Sequence, residues 1–147
     1  SSTPLASFLF FYFNLIFEDV VLINSNSLSG ALEQMLRIGQ RDVLVGISFP
    51  RYSRETVRAM QFAADRGAST IAVTDSVDSP LASRAGVTLL AKSDMVSFLD
   101  SLVAPLSVLN ALIVSVSRHM NDDISRTFST LERIWDEYEV YERSDGE

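Results

Sequence analysis

Residues 42–56 read DVLVGISFPRYSRET, and this stretch decides the fold class. Its first part, Asp42 to Ser48, is an almost unbroken apolar run, which is typical of a strand buried on both faces of a parallel sheet. Its second part begins a helix that we expect to span Ser53 to Arg66, because apolar residues follow at helical spacing and Gly67 ends it. A buried strand that leads through a short loop into a helix predicts an α/β fold.

The same alternation continues on both sides of this stretch. Short β-branched or apolar runs predict further strands at 19–24 (DVVLIN), 69–74 (STIAVT) and 87–91 (VTLLA). Helical spacing predicts the remaining elements, at 5–17, 28–38, 81–85, 97–119 and 124–142. Four strands that alternate with helices predict a three-layer α/β/α sandwich around a parallel, flavodoxin-like sheet.

Local signals refine the helices. We expect Ser27 or Ser29 to cap the helix at 28–38 and Gly39 to follow its end. Pro105 falls inside the predicted helix 97–119, where it removes one backbone hydrogen bond and favours a kink. The last helix, 124–142, is amphipathic, with one apolar stripe and an acidic opposite face.

The predicted order of elements lacks a strand at its beginning. A doubly wound fold starts with a strand, and the loop after that strand holds the ligand, whereas this chain starts with the apolar helix 5–17. In a flavodoxin-like order the absent strand is an interior one, and its absence leaves apolar edges and unpaired backbone groups. We therefore expect the natural protein to contain residues upstream of Ser1 that supply this first strand.

Composition bounds the class of protein. The chain has 147 residues, 47% hydrophobic and 21% charged, which suits a single globular domain over 1–147. It contains no cysteine and one histidine, His119, so we expect no disulfide, metal or cofactor. The net charge is −7, and residues 121–147 hold nine acidic and three basic residues, so we expect no DNA contact by this domain itself. The apolar run 5–17 is too short to cross a membrane and no secretory signal precedes it, so a cytoplasmic location is expected.

Several stretches together resemble a known family. They are SSTPLA at 1–6, the stretch at 42–56, TDSVDSPLA at 74–82 with GVTLLA after it, and FLDSLVAPLSVLNALI at 98–113. They resemble a SIS (sugar isomerase) domain, and more closely the effector domain of RpiR-type bacterial transcriptional regulators. The resemblance implies a five-stranded parallel α/β sandwich that binds a phosphosugar, as a homodimer or higher homo-oligomer. It also implies that DNA is bound only through a helix-turn-helix domain upstream of this chain.

The candidate ligand site lies at the carboxyl end of the strand 42–48. Ser48 closes this strand and Ser53 opens the next helix, where backbone N–H groups and hydroxyl donors suit a phosphate. The resemblance implies that Ser2, Ser48 and Ser53 contact the phosphosugar, and Ser1 belongs to the same candidate site. Arg51 would add a charge-assisted bond. In a simpler interpretation Ser48 only ends a strand, Ser53 only caps a helix, and Arg51 is an exposed loop residue.

The chain departs from the family pattern at two positions of this loop. Many SIS enzymes have serine or threonine where Pro50 stands and glycine where Arg51 stands. Because Pro50 has neither a hydroxyl nor an N–H, the expected phosphate contacts move to Ser48, Ser53 and Arg51.

Catalytic groups are not predicted. Aldose–ketose isomerisation needs a positioned base and an acid. Glu55 lies in a first helical turn, where it favours the helix dipole, and His119 ends the long helix far from the loops. Asp94 and Asp100 are expected to cap the start of that helix. A stand-alone sugar-phosphate isomerase and a ligand-free dimerisation scaffold remain the alternatives to a sensing domain.

Two other groups have structural interpretations. Asp75 and Ser76 are expected to form a turn and a cap, although their place after a strand keeps them candidates for ligand contact. The aromatic residues of the first helix are expected to form core and dimer interface: Phe8, Phe10, Phe11, Tyr12, Phe13 and Phe17.

Overall fold

The fold is built on a parallel sheet. The computed structural model describes residues 2–93, 95–96 and 99–142. Strands β1 (Val43–Ile47), β2 (Ser69–Thr74) and β3 (Val87–Leu90) pair in the order β1-β2-β3. Both pairings are parallel, with Val43 opposite Ser69 and Ile71 opposite Val87. The predicted α/β class and these three strands are confirmed.

Helices surround the sheet, and two of them begin at a serine side-chain cap. They are α1 (Thr3–Ile16), α2 (Leu28–Gln34), α3 (Arg54–Asp65), α4 (Val103–His119) and α5 (Asn121–Glu137), with a 3₁₀ turn at Ala82–Arg84. The hydroxyl of Ser27 accepts the N–H of Gly30 and so caps α2 as predicted. Gly67, at φ 84°, follows the end of α3, where a left-handed residue terminates a helix.

The core lies on both faces of the sheet. Ile47 and Val73, adjacent on one face, join a cluster with α1 and α4 that also contains Leu5, Leu9, Leu109 and Ile113. On the opposite face Ala72 contacts Met60 of α3 and Leu81. Gly46 lies on that second face, and a Cβ atom there would be 2.8 Å from the Met60 sulfur. The sheet is therefore covered on both sides, and α3 packs closely on β1.

The predicted strand at 19–24 is wrong, because these residues form no ladder. The backbone of Asn24 bonds instead to the side-chain amide of Gln34. A strand needs a neighbouring strand to satisfy its backbone groups, and none of the described strands pairs with this segment.

The outer edge of β1 is open. The N–H of Ser48 donates to Val73 and Asp42 accepts from Ser69, so the even-numbered residues of this stretch face β2. The backbone groups of Val43, Val45 and Ile47 therefore point away from β2, and in the described part of the chain no backbone partner meets them. The expectation of a further strand upstream of Ser1 stays a prediction, and this edge is where such a strand would pair.

The region before α4 also differs from the prediction of one helix over 97–119. Strands β4 (Met95–Val96) and β5 (Leu99–Asp100) form a short antiparallel pair, and α4 begins only at Val103. Pro105 consequently lies in the first turn, where its missing N–H costs no helical hydrogen bond, so the predicted interior break does not occur there. Likewise α2 ends at Gln34, four residues earlier than predicted, and Gly39 does not follow its end directly.

The outer helices leave apolar side chains on the surface. Leu5 and Leu9 of α1 are buried, but Phe11 is 60% exposed, so only part of the predicted aromatic run enters the core. No residue of α5 is buried, which leaves Phe128 and Ile134 of its apolar stripe partly exposed. Within the described residues no single helix is long and apolar enough to cross a membrane. Helices α4 and α5 reach the required length and hydropathy only when taken together, and the pair is bent by 102°.

Candidate functional site

Ser48 and Ser53 meet where β1 ends and α3 begins. The buried Ser48 Oγ accepts the backbone N–H of Ser53 at 3.0 Å, and Ser53 Oγ accepts the N–H of Thr56 at 3.2 Å. Each hydroxyl oxygen thus already accepts a bond from the main chain, which leaves its O–H free to donate elsewhere. The structure brings these two predicted residues together and confirms that Ser53 caps α3.

Arg51 has an unusual backbone and a partner across the fold. Its φ of 69° lies in the left-handed region that glycine favours, and its side chain is 76% exposed. Arg51 Nη2 lies 3.3 Å from Asp100 Oδ2, just before α4. The predicted capping role of Asp100 is therefore wrong, because Leu102 occupies the N-cap of α4 and Asp100 pairs with the loop instead.

Tyr52 anchors the same loop, and the sequence analysis missed it. Its hydroxyl donates to Asp75 Oδ1 at 2.8 Å, which ties the loop after β1 to the end of β2. This hydrogen bond, with burial and the Asp75 charge, raises the pKa of Tyr52. A signal was present, since parallel strands end at one edge of a sheet and both residues follow strand ends. Ser76, by contrast, forms the predicted turn by accepting the N–H of Asp78.

The remaining predicted site residues lie at the start of α1. Ser2 is half-buried, occupies the N-cap of α1 and makes no side-chain capping bond with that helix. Ser1 lies outside the described residues, as does Asp94.

One open groove connects these groups. Its volume is about 2330 Å³, and its lining includes Ser2, Ser48, Arg51, Ser53 and Asp100. A pocket for one small ligand usually measures about 300–1,000 Å³. The groove is larger than such a pocket because it also runs along the outer residues of β1 and the segment 17–26.

The other candidate acid–base groups differ in their place relative to the groove. Glu55 is exposed in the first turn of α3 and lines the groove. His119 lies in the last turn of α4, where its Nδ1 is 2.8 Å from the carbonyl of Ser115. Across the described ranges no three His, Asp or Glu residues converge as metal ligands.

Taken together, several donors gather where β1 ends and α3 begins. Two hydroxyls, the first N–H groups of α3 and one exposed guanidinium suit an anion with several oxygens. One of these donors, the Arg51 guanidinium, is already paired with the Asp100 carboxylate.

Comparison with known families and curated proteins finds relatives for most of the chain. A family model described as SIS domain matches residues 1–115. The chain is 32% identical over 99 residues to an uncharacterised HTH-type transcriptional regulator of Caldanaerobacter subterraneus subsp. tengcongensis. That match covers 65% of this chain but 35% of the regulator, so the chain spans about a third of the length of this curated relative.

Solved structures share the fold. The sugar isomerase domain of an RpiR transcription factor from Sphaerobacter thermophilus is 28% identical, with a TM-score of 0.78 over 89% of this chain and 73% of that one. The Vibrio vulnificus NanR protein, solved in complex with ManNAc-6P, is 17% identical, with a TM-score of 0.71 over 91% of this chain and 53% of that one. The second likeness concerns the fold alone.

Proposed function

This chain belongs to the SIS domain family, and from that premise we propose that it is the phosphosugar-binding effector domain of a transcriptional regulator. Its similarity to an HTH-type regulator and to the sugar isomerase domain of an RpiR transcription factor supports the regulatory assignment. The phosphosugar would bind at the carboxyl end of β1, with its phosphate at Ser48, Ser53 and Arg51 and with Ser2 on the other side of the ligand.

The observation that carries the proposal is the hydrogen bond from the Ser53 N–H to Ser48 Oγ. It holds two hydroxyls at the start of α3, and each can donate its proton to a ligand oxygen. The partial positive charge of the helix N-terminus adds to the attraction for a phosphate. Arg51, in the intervening loop, supplies the formal positive charge that a dianionic ligand needs.

Sensing fits the site better than isomerisation does. An isomerase needs a base beside the carbon that loses its proton and an acid for ring opening. Glu55 lines the groove from the first turn of α3 and is a carboxylate of the kind that a base requires. His119 does not line the groove, and its side chain bonds to a carbonyl of its own helix. We therefore assign no catalytic residue, and an isomerase assay with each bound sugar phosphate tests that assignment directly.

The proposal extends to how the signal reaches DNA. The DNA contacts would come from a helix-turn-helix region outside this acidic chain, in the cytoplasm, and the chain would act as a homodimer or higher homo-oligomer. The partly exposed apolar residues of α1 and α5 support self-association. Analytical ultracentrifugation tests it, and a monomer at all concentrations would contradict the oligomer.

The direct test is ligand binding. We would titrate a panel of sugar phosphates, ManNAc-6P among them, and the matching free sugars, by calorimetry and thermal unfolding. A ligand at 100 times its Kd stabilises the folded state by about 2.7 kcal/mol, which raises Tm by several degrees. We expect one sugar phosphate to bind and its free sugar not to bind, because the site recognises the phosphate.

The controls separate the site from the rest of the chain. Ser48→Ala should weaken binding at least tenfold, whereas Ser129→Ala, which removes an exposed hydroxyl from α5, should leave it unchanged. If every sugar phosphate fails to bind, the ligand-free scaffold becomes the better assignment.

A further inference from the structure

The ion pair between Arg51 and Asp100 joins two parts of the fold that are 49 residues apart in sequence. It involves one guanidinium nitrogen at 3.3 Å, and both side chains are at least one third exposed. Such a single contact between solvated groups is weak, and it leaves most of the five guanidinium donors unused. Both residues line the groove that contains Ser48 and Ser53.

We propose that this pair is a latch that an anionic ligand opens. The inference rests on the proposed phosphosugar site. A phosphate held by Ser48 and Ser53 can offer Arg51 two oxygens at once and twice the charge of a carboxylate. It would therefore take over the guanidinium, and its own charge would repel Asp100. Before an anion binds, Asp100 acts as a built-in competitor for the ligand's place.

The position of Asp100 links the latch to the start of α4. It lies in β5, two residues before the N-cap of α4, and the carbonyl of Ser101 accepts the Ser93 hydroxyl at 3.4 Å. Helix α4 in turn packs against α1 and shares core residues with β1 and β2. Release of Asp100 would remove the tie between the loop after β1 and the segment that leads into α4, so that occupancy of the site is communicated to the helical layer.

The left-handed backbone of Arg51 agrees with this role. A positive φ costs an L-residue conformational energy, and glycine would avoid that cost. The loop instead retains a long cationic side chain at this point, where it reaches Asp100.

The test compares Asp100→Asn with Asp78→Asn. Asp78 is an exposed carboxylate after β2 that does not line the groove, so its variant removes the same charge elsewhere. Inorganic phosphate is titrated into isotope-labelled wild type and both variants by NMR. Hydrogen exchange of the Leu106 amide, which donates to the Leu102 carbonyl at the start of α4, is then measured with and without saturating phosphate.

We expect Asp100→Asn to bind phosphate about three- to tenfold more tightly than wild type, since it removes both the competitor and its repulsion. We expect Asp78→Asn to match wild type. Phosphate should accelerate exchange at Leu106 in wild type, whereas in Asp100→Asn exchange should already match that of phosphate-bound wild type and should not respond to phosphate.

The outcomes separate the latch from the site. If wild type binds phosphate and Asp100→Asn binds no more tightly than Asp78→Asn, or if exchange at Leu106 does not respond, the latch is wrong and the binding site stands. If wild type binds neither phosphate nor any sugar phosphate, the proposed function fails, and the latch fails with it.

Discussion

The hydroxyl oxygen of Ser48 accepts a 3.0 Å hydrogen bond from the backbone N–H of Ser53, and this bond joins the end of β1 to the start of α3. Ser48 is 4% exposed, so this acceptor is not readily replaced by water. The loop between the two serines is thereby held at both ends, which positions Arg51 and Tyr52 above the edge of the sheet.

Ser48→Ala should destabilise the fold by about 1 kcal/mol, because the Ser53 N–H loses its acceptor. Urea unfolding measures this as a lower midpoint at unchanged slope. Ser129→Ala is the matched serine control and should stay within about 0.5 kcal/mol of wild type. A Ser48→Ala midpoint equal to that of the control would show that this bond does not hold the loop.

Ser53→Asp should separate capping from ligand binding. Aspartate is as good an N-cap as serine, so it should keep the contact with the Thr56 N–H and the unfolding midpoint. Its negative charge should nevertheless abolish phosphate binding.

Ser53→Ala is the complementary variant of that experiment. It should lose about 1 kcal/mol of stability with the cap. Retention of phosphate binding by Ser53→Asp would exclude Ser53 from the ligand site.

Gly46→Ala should destabilise the protein by about 1–3 kcal/mol, because its Cβ would lie 2.8 Å from Met60 Sδ and 3.0 Å from Met60 Cγ. Gly39→Ala is the control, since no atom lies within 4 Å of its added Cβ. That variant should be neutral or more stable by up to about 1 kcal/mol, because alanine reduces the conformational entropy of the unfolded chain. Equal effects of the two substitutions would contradict the close packing of α3 on β1.

Tyr52 makes stability depend on pH at the alkaline end. Its pKa in the folded protein is raised above the ordinary 10.0, chiefly by the hydrogen bond to Asp75. The folded state therefore keeps this proton when the unfolded state has lost it, so the contribution is complete below pH 10 and declines as the pH rises through the folded pKa.

Tyr52→Phe should be less stable than wild type at neutral pH and should lack this particular decline. Ultraviolet titration of wild type should show a tyrosine ionisation above pH 10 that is missing from Tyr52→Phe. In Asp75→Asn the same ionisation should move toward pH 10, because the hydrogen bond and the charge that raise the Tyr52 pKa are lost. A Tyr52 transition at or below pH 10 in wild type would disprove the contact.

The open edge of β1 predicts an alternating exchange pattern. The amides of Gly46 and Ser48 face β2 and should exchange slowly, whereas those of Val45 and Ile47 face the groove and should exchange fast. A further strand paired along this edge should slow exchange at Val45 and Ile47 selectively. Slow exchange at these two amides in the 147-residue chain, together with a doubled mass, would instead indicate edge pairing between two copies.

Much of the fold and part of the site follow from local patterns. The strands at 43–47, 69–74 and 87–90 and the cap at Ser53 were predicted because apolar runs and caps involve residues close in sequence. The contacts of Tyr52 with Asp75 and of Arg51 with Asp100 were not predicted, since they cross 23 and 49 residues. The shared sheet edge was a signal for the first contact, and no local pattern marks the second.

The amino-acid sequence by itself determined the α/β alternation, the capped start of α3 and the family. Only the tertiary structure decided that 19–24 forms no strand, that Asp100 pairs with Arg51 and that Pro105 lies in the first turn of α4. The physical reason is the range of the interaction. A cap or a helical turn is satisfied within four residues, whereas a strand or an ion pair depends on a partner that only the folded chain brings near.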